Sequence, residues 1–144
     1  MVDIKTEIII HSPIEKVSSY ASDPDHAPEW YVNIDSAEWL TDKPLSIDSQ
    51  IAFKATFLGR ELAYVYKIEE YRPGEKLIMK TANGPFPMKT TYTWEKLEPN
   101  RTKMTLRNQG EPSGFSKIFS PFMSPLMKKA NQKDLKKIKD ILEN

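Results

Sequence analysis

Residues 51–68 read Ile51-Ala52-Phe53-Lys54-Ala55-Thr56-Phe57-Leu58-Gly59-Arg60-Glu61-Leu62-Ala63-Tyr64-Val65-Tyr66-Lys67-Ile68. On both sides of Gly59-Arg60 the larger apolar residues recur at every second position, the period of a strand with one buried face. A two-residue Gly59-Arg60 turn with glycine first predicts a type II′ hairpin. It pairs Phe57 with Leu62, Ala55 with Tyr64, Phe53 with Tyr66 and Ile51 with Ile68, and all eight side chains fall on one face. The next turn, Pro73-Gly74, extends that face by setting Ile68 opposite Met79, Tyr66 opposite Thr81 and Glu70 opposite Leu77. Period-two patterning runs from residue 34 to residue 111, punctuated by Gly59, Pro73-Gly74, Asn83-Gly84-Pro85 and Pro99-Asn100, which predicts an antiparallel meander of six strands. At Pro99-Asn100 a two-residue loop alone would mix faces. An odd loop or a bulge is expected there, bringing Thr90, Tyr92 and Trp94 onto the face of Met104, Leu106 and Asn108.

Before the meander, residues 2–10 alternate, with Val2, Ile4, Thr6, Ile8 and Ile10 on one face, which predicts a first half-buried strand. Ser12-Pro13-Ile14-Glu15 supplies a cap, a proline at the first helical position and a capping-box glutamate. A short helix is expected to about Ala21. Asp23-Pro24 repeats the device and starts a second short helix ending near Trp30. After the meander the period becomes helical: Phe115, Ile118, Phe119, Phe122, Met123, Leu126, Met127 and Ala130, then Leu135, Ile138, Ile141 and Leu142. Pro121 and Pro125 limit where an unbroken helix can begin, so a short helix or turn near 115–120 and a long C-terminal helix starting between Ser120 and Pro125 are expected. No repeat or linker divides the chain, and residues 1–144 read as one α+β domain.

In this order and spacing the sequence resembles the START-like, Bet v 1-like superfamily, also called SRPBCC, and within it the polyketide cyclase/dehydrase and lipid-transport group. The matching residues are Ser12-Pro13-x-x-x-Val17 after the first strand, Asp23-Pro24 leading to Trp30, Leu97-Glu98-Pro99 with Thr102-Lys103-Met104-Thr105, and Asp134-Leu135-x-x-Ile138-Lys139-x-x-Leu142-Glu143. The resemblance covers essentially the whole chain. It implies a helix-grip fold: a seven-stranded curved antiparallel sheet around a long C-terminal helix, with two short helices after the first strand. Ser18 departs from the pattern, since relatives often carry a bulky aromatic after the valine.

Composition narrows the chemistry. The chain has 144 residues, no cysteine, five glycines and eleven prolines. Thiol catalysis, cysteine-ligated zinc and disulfide scaffolding are excluded. His11 ends the first strand and His26 lies in the first turn of the second short helix, so the two histidines do not form a ligand pair on one helix, and no metal or other cofactor is expected. Scattered glycines cannot build a phosphate or dinucleotide loop, and no nucleophile elbow surrounds any serine. The longest uncharged run, residues 118–127, is ten residues and too short to span a bilayer. No signal peptide is visible, and a cytoplasmic location is expected. Residues 1–50 carry a net −7 and residues 51–144 a net +8. We read this as complementarity within one fold, with the acidic short helices near the basic long helix, and not as a nucleic-acid arm.

The inferred inner face is rich in aromatic residues and methionine, which suits an adaptable lipophilic pocket. The candidate ligand-binding residues are Trp30, Phe53, Phe57, Tyr64, Tyr66, Met79, Tyr92, Trp94, Leu106, Asn108, Phe119, Met123 and Met127, with Tyr64, Tyr66 or Asn108 orienting the ligand. No catalytic residue is assigned. The expected function is binding, with transport or sequestration, of a small hydrophobic or lipid-like ligand. One alternative is a cyclase/dehydratase-type enzyme, which requires His11, Asp23 or Glu70 to reach a pocket tyrosine. Another is an interaction module without a working cavity. The exterior lysines of the last helix, offset by Asp134, Asp140 and Glu143, read as a solvated face in preference to a membrane footprint. A monomer or homodimer is expected.

Overall fold

The computed structural model describes residues 2–57, 59–83, 87–110 and 123–144. Strand β1 (Val2–Ile10) is followed by helix α1 (Ile14–Ser22), a 3-10 turn (Pro24–His26) and helix α2 (Ala27–Trp30). Six strands follow: β2 (Ile34–Trp39), β3 (Gln50–Phe57), β4 (Arg60–Arg72), β5 (Lys76–Asn83), β6 (Met88–Glu98) and β7 (Arg101–Gly110). Helix α3 (Met123–Glu143) ends the chain. The expected segment near 115–120, with Phe115, Phe119 and Phe122, lies outside the described residues.

The seven strands form one curved antiparallel sheet in the order β1-β7-β6-β5-β4-β3-β2. From β2 to β7 each strand pairs with the next, and β1 joins the far side of β7, with Ile4 opposite Asn108 and Ile8 opposite Met104. This is the helix-grip α+β arrangement the resemblance implies.

Three local expectations shift. In the β3–β4 hairpin, Phe57 faces Arg60 and Phe53 faces Tyr64, so Arg60 belongs to the strand and not to the loop. Gly59, at φ 77°, supplies the left-handed conformation in the loop. The pairing moves by two residues, an even step, and the inward face is unchanged. In β4–β5, Ile68 faces Met79 as expected, but an irregularity after Ile68 places Glu70 opposite Ile78 and not Leu77. Ser12 does not cap α1. The Pro13 carbonyl accepts the first helical bond from Val17 at 3.0 Å. Ser12 is buried, its own carbonyl accepting from Thr102 Oγ1 at 2.8 Å. The second start is as read: the Asp23 carboxylate accepts from the Asp25 N–H at 2.9 Å. So is the bulge before Pro99-Asn100, which aligns Thr90, Tyr92 and Trp94 with Asn108, Leu106 and Met104.

The core lies on the concave face. Ile10, Trp30, Ile51, Ile68, Leu77, Met104 and Leu106 are essentially sealed from solvent there, together with Leu135 and Ile138 of α3. Pro125 sits in the first turn of α3, where no N–H partner is needed. The charge complementarity runs between β1 and β7, where Arg107 pairs with Asp3 at 2.6 Å and Lys103 with Glu7 at 3.8 Å, and from β4 to the turn before β3, where Lys67 pairs with Asp48 at 3.4 Å. The acids of the short helices bond locally instead, Asp25 to Lys43 and Glu29 to the Tyr20 hydroxyl. No helix among the described residues is long and apolar enough to cross a membrane.

Candidate functional site

Helix α3 changes character along its length. Its later turns project Leu135, Ile138 and Leu142 into the core. Toward its start the same side carries Met127 and then Ala130, Asn131 and Asp134, the last three small or polar, and space is left against the sheet. The result is a cavity of about 130 Å³ bounded by α3, the α1–α2 segment and strands β2 to β7. That is room for about ten water molecules, at the lower end of small-ligand sites once liquid packing is allowed for.

Eight of the expected residues line this cavity: Phe53, Phe57, Tyr64, Tyr66, Met79, Tyr92, Asn108 and Met127. Three do not. Trp30, Trp94 and Leu106 belong to the solid core. Trp30 packs beneath Tyr31, ring centroids 4.1 Å apart, and meets Tyr92 edge-on at 5.7 Å, so the tyrosines and not the tryptophan face the space. Trp94 and Leu106 sit one step farther along β6 and β7 than the lining residues Tyr92 and Asn108. Phe119 lies outside the described residues, as does the side chain of Met123.

The polar groups form two satisfied sets and one unsatisfied one. The Tyr31 and Tyr92 hydroxyls hydrogen-bond each other. Tyr66 Oη lies 3.1 Å from Thr90 Oγ1, which donates to Asn108 Oδ1 at 2.7 Å. Burial holds the Tyr31, Tyr64 and Tyr92 hydroxyls above the usual phenol range. It pushes Tyr66 up to about 12, with the Thr90 bond opposing. All four therefore stay neutral at any physiological pH.

The third set, on α3, is the part the sequence reading missed. By its place among the lysines Asp134 reads as part of a solvated face, yet it is 3% exposed and its Oδ1 accepts the Val32 N–H at 2.8 Å. Burial pushes its carboxyl up to about 7, opposed by the Val32 bond and the Lys137 charge. Asn131 is also buried, and its Nδ2 has no hydrogen-bond partner among the described residues. A signal was present, since 127, 131, 134 and 138 share one helical stripe with the apolar residues.

The acid–base candidates do not gather here. The His11 ring is largely exposed, 3.1 Å from Glu143 at the end of α3. Glu70 pairs with Arg72 at 3.3 Å on the strand and does not line the cavity. Asp23 is at the cavity edge, occupied with the Asp25 N–H. No cluster of three or more potential metal ligands occurs among the described residues.

A family model described as polyketide cyclase/dehydrase and lipid transport matches residues 1–143. Solved structures share the fold. A START superfamily protein from Mycobacterium smegmatis superposes with a TM-score of 0.83 at 14% identity, covering 98% of this chain and 97% of that one. The Zhui aromatase/cyclase from Streptomyces sp. R1128 gives 0.78 at 11% identity, over 98% and 93%. Major latex-like protein 151 from Panax ginseng gives 0.73 at 12% identity, over 99% and 97%. At such identities the likeness is one of fold. No curated protein sequence matches the chain. The family match spans nearly every residue and agrees with the topology of sheet and grip helix, so the chain belongs to the polyketide cyclase/dehydrase and lipid-transport family of the START-like, Bet v 1-like (SRPBCC) superfamily.

Proposed function

We propose that this protein binds a small hydrophobic or lipid-like molecule between the sheet and α3, for transport or sequestration. The observation that carries this reading is the cavity itself. The concave sheet and the small side chains of α3 leave about 130 Å³ unfilled at the end of an otherwise close-packed core. Its walls are mainly apolar, with Phe53, Met79, Met88 and Met127 offering adaptable surface and a few polar atoms offering orientation. Affinity would come from burying apolar ligand surface, about 25 cal/mol per Å².

The test is titration with a lipophilic naphthalene-sulfonamide-type fluorophore, followed by mass spectrometry of organic extracts of the purified protein. Saturable binding that is lost on filling the cavity with Ala130→Phe supports the reading. Unsaturable binding, unchanged by Ala130→Phe in a folded variant, overturns it.

A second reading, acid–base catalysis of the cyclase/dehydratase type, draws support from one observation. Asp134 is a buried carboxyl facing the same cavity and poised near neutrality, the condition for proton transfer at physiological pH. Turnover of a poly-β-ketone analogue that is abolished by Asp134→Asn would favour it over simple binding.

A further inference from the structure

Two neighbouring side chains of α3 face the cavity without the partners that burial demands. Asn131 is 6% exposed and its Nδ2 is orphaned among the described residues. A buried donor left in this state is costly, and asparagine is a poor choice for a helix interior unless its amide has a task. Asp134, three residues on, commits Oδ1 to the Val32 N–H and leaves its second oxygen without a partner among the described residues. Elsewhere around the cavity Tyr31 and Tyr92 occupy one another, as do Tyr66, Thr90 and Asn108. The described lining contains two acids, Asp23 and Asp134, and no lysine, arginine or histidine.

We propose that the cavity selects an uncharged ligand: a compact apolar body ending in one carbonyl or hydroxyl seated against Asn131 and Asp134, with the corresponding carboxylate rejected. This deepens, and rests on, the ligand-binding reading above. A ketone oxygen accepts from Asn131 Nδ2 and satisfies the orphan. A hydroxyl does the same and donates to the free Asp134 oxygen. A carboxylate gives up its hydration, meets no cation in the described lining and faces the Asp134 charge. Near neutral pH the Asp134 carboxyl is present in both forms, so it can donate to a carbonyl or accept from an alcohol.

The experiment measures displacement of the bound fluorophore by four matched probes at pH 8: naphthalene, 2-acetylnaphthalene, 2-naphthol and 2-naphthoate. The expected result is that ketone and alcohol bind at least ten-fold more tightly than the carboxylate. Asp134→Asn is expected to narrow that gap by strengthening naphthoate. Asn131→Leu is expected to weaken the ketone about ten-fold, the worth of one buried hydrogen bond, and to leave naphthalene unchanged. Naphthoate binding as tightly as the ketone to the unmodified protein overturns the proposal, with no variant required. So does an Asn131→Leu protein that loses ketone and naphthalene equally. If no probe displaces the fluorophore from its site, naphthalene included, the ligand-binding reading itself falls.

Discussion

Replacing Asp134 with asparagine should change how the stability of this protein depends on pH. The carboxyl is pushed up from 3.8 to about 7 by burial. Between those values the folded state holds a proton that the unfolded chain has released, so stability falls as pH rises. The contribution is fully present below about pH 3.8 and lost by about pH 7. Roughly three pH units at about 1.4 kcal/mol each give a ceiling of about 4 kcal/mol. Against burial, the Val32 N–H and the Lys137 charge act on the carboxyl, and its own charge in turn raises the Tyr31, Tyr64 and Tyr92 hydroxyls. Burial holds the three tyrosine hydroxyls above that window, and the comparison with the asparagine variant assigns the slope to Asp134. Asparagine keeps an oxygen for the Val32 N–H and removes the titration. Urea denaturation of both proteins from pH 4.5 to 8 isolates the effect as a difference, cancelling every other titrating group. The asparagine variant should gain on the unmodified protein as pH rises, by at least about 1.4 kcal/mol across the window. Curves that stay parallel within about 0.5 kcal/mol would refute the reasoning, and with it the burial of a proton-holding carboxyl in the cavity.

Glu143 should behave in the opposite sense. The His11 N–H and the Lys139 ammonium hold its carboxyl at about 2, so its stabilising effect is present above about pH 4.5 and is lost as pH falls. Glu143→Gln should flatten the acid limb of a pH–stability curve, and an unchanged limb would count against that anchoring. Ile138→Ala removes a sealed side chain of α3 and should cost about 2–5 kcal/mol by chemical denaturation. A cost under about 1 kcal/mol would mean that the helix does not grip the sheet there. Gly74→Ala should cost about 1–2 kcal/mol although its Cβ would meet open space, because φ is 79° and the strain is in the backbone. A neutral result would place that turn in another conformation.

Much of the sheet was legible because period-two patterns and turn residues constrain one another. Ile68 stands opposite Met79 as read from Pro73-Gly74, although Arg72 pairs with Lys76 and the irregularity after Ile68 restores the register, and the bulge before Pro99 follows from the need to keep Trp94 and Met104 on one face. Of the two departures in register, the one at Gly59 is an even step that preserves the inner face, and the one at Glu70 is a single-residue irregularity. The Ser12 cap failed for a nonlocal reason: Thr102, ninety residues away, takes the Ser12 carbonyl and pulls the residue inside. Local capping rules carry no information about such a contact.

The cavity was half legible. Its aromatic wall could be read because inward positions on strands announce themselves by alternation. The sequence alone thus determined the class of fold, the inward face and the apolar nature of what lies on it, since these depend on periodicities of two and 3.6 that any window of the chain displays. Only the tertiary structure decided which inward residues fill space and which border it. Trp30, Trp94 and Leu106 interlock with neighbours, whereas Ala130, Asn131 and Asp134 meet a sheet that has already curved away. Asp134 reads as a surface acid among lysines because its charge favours water, and nothing local contradicts that. The acid is inside because the apolar residues on the same helical stripe must be buried, and a rigid helix carries its polar members in with them.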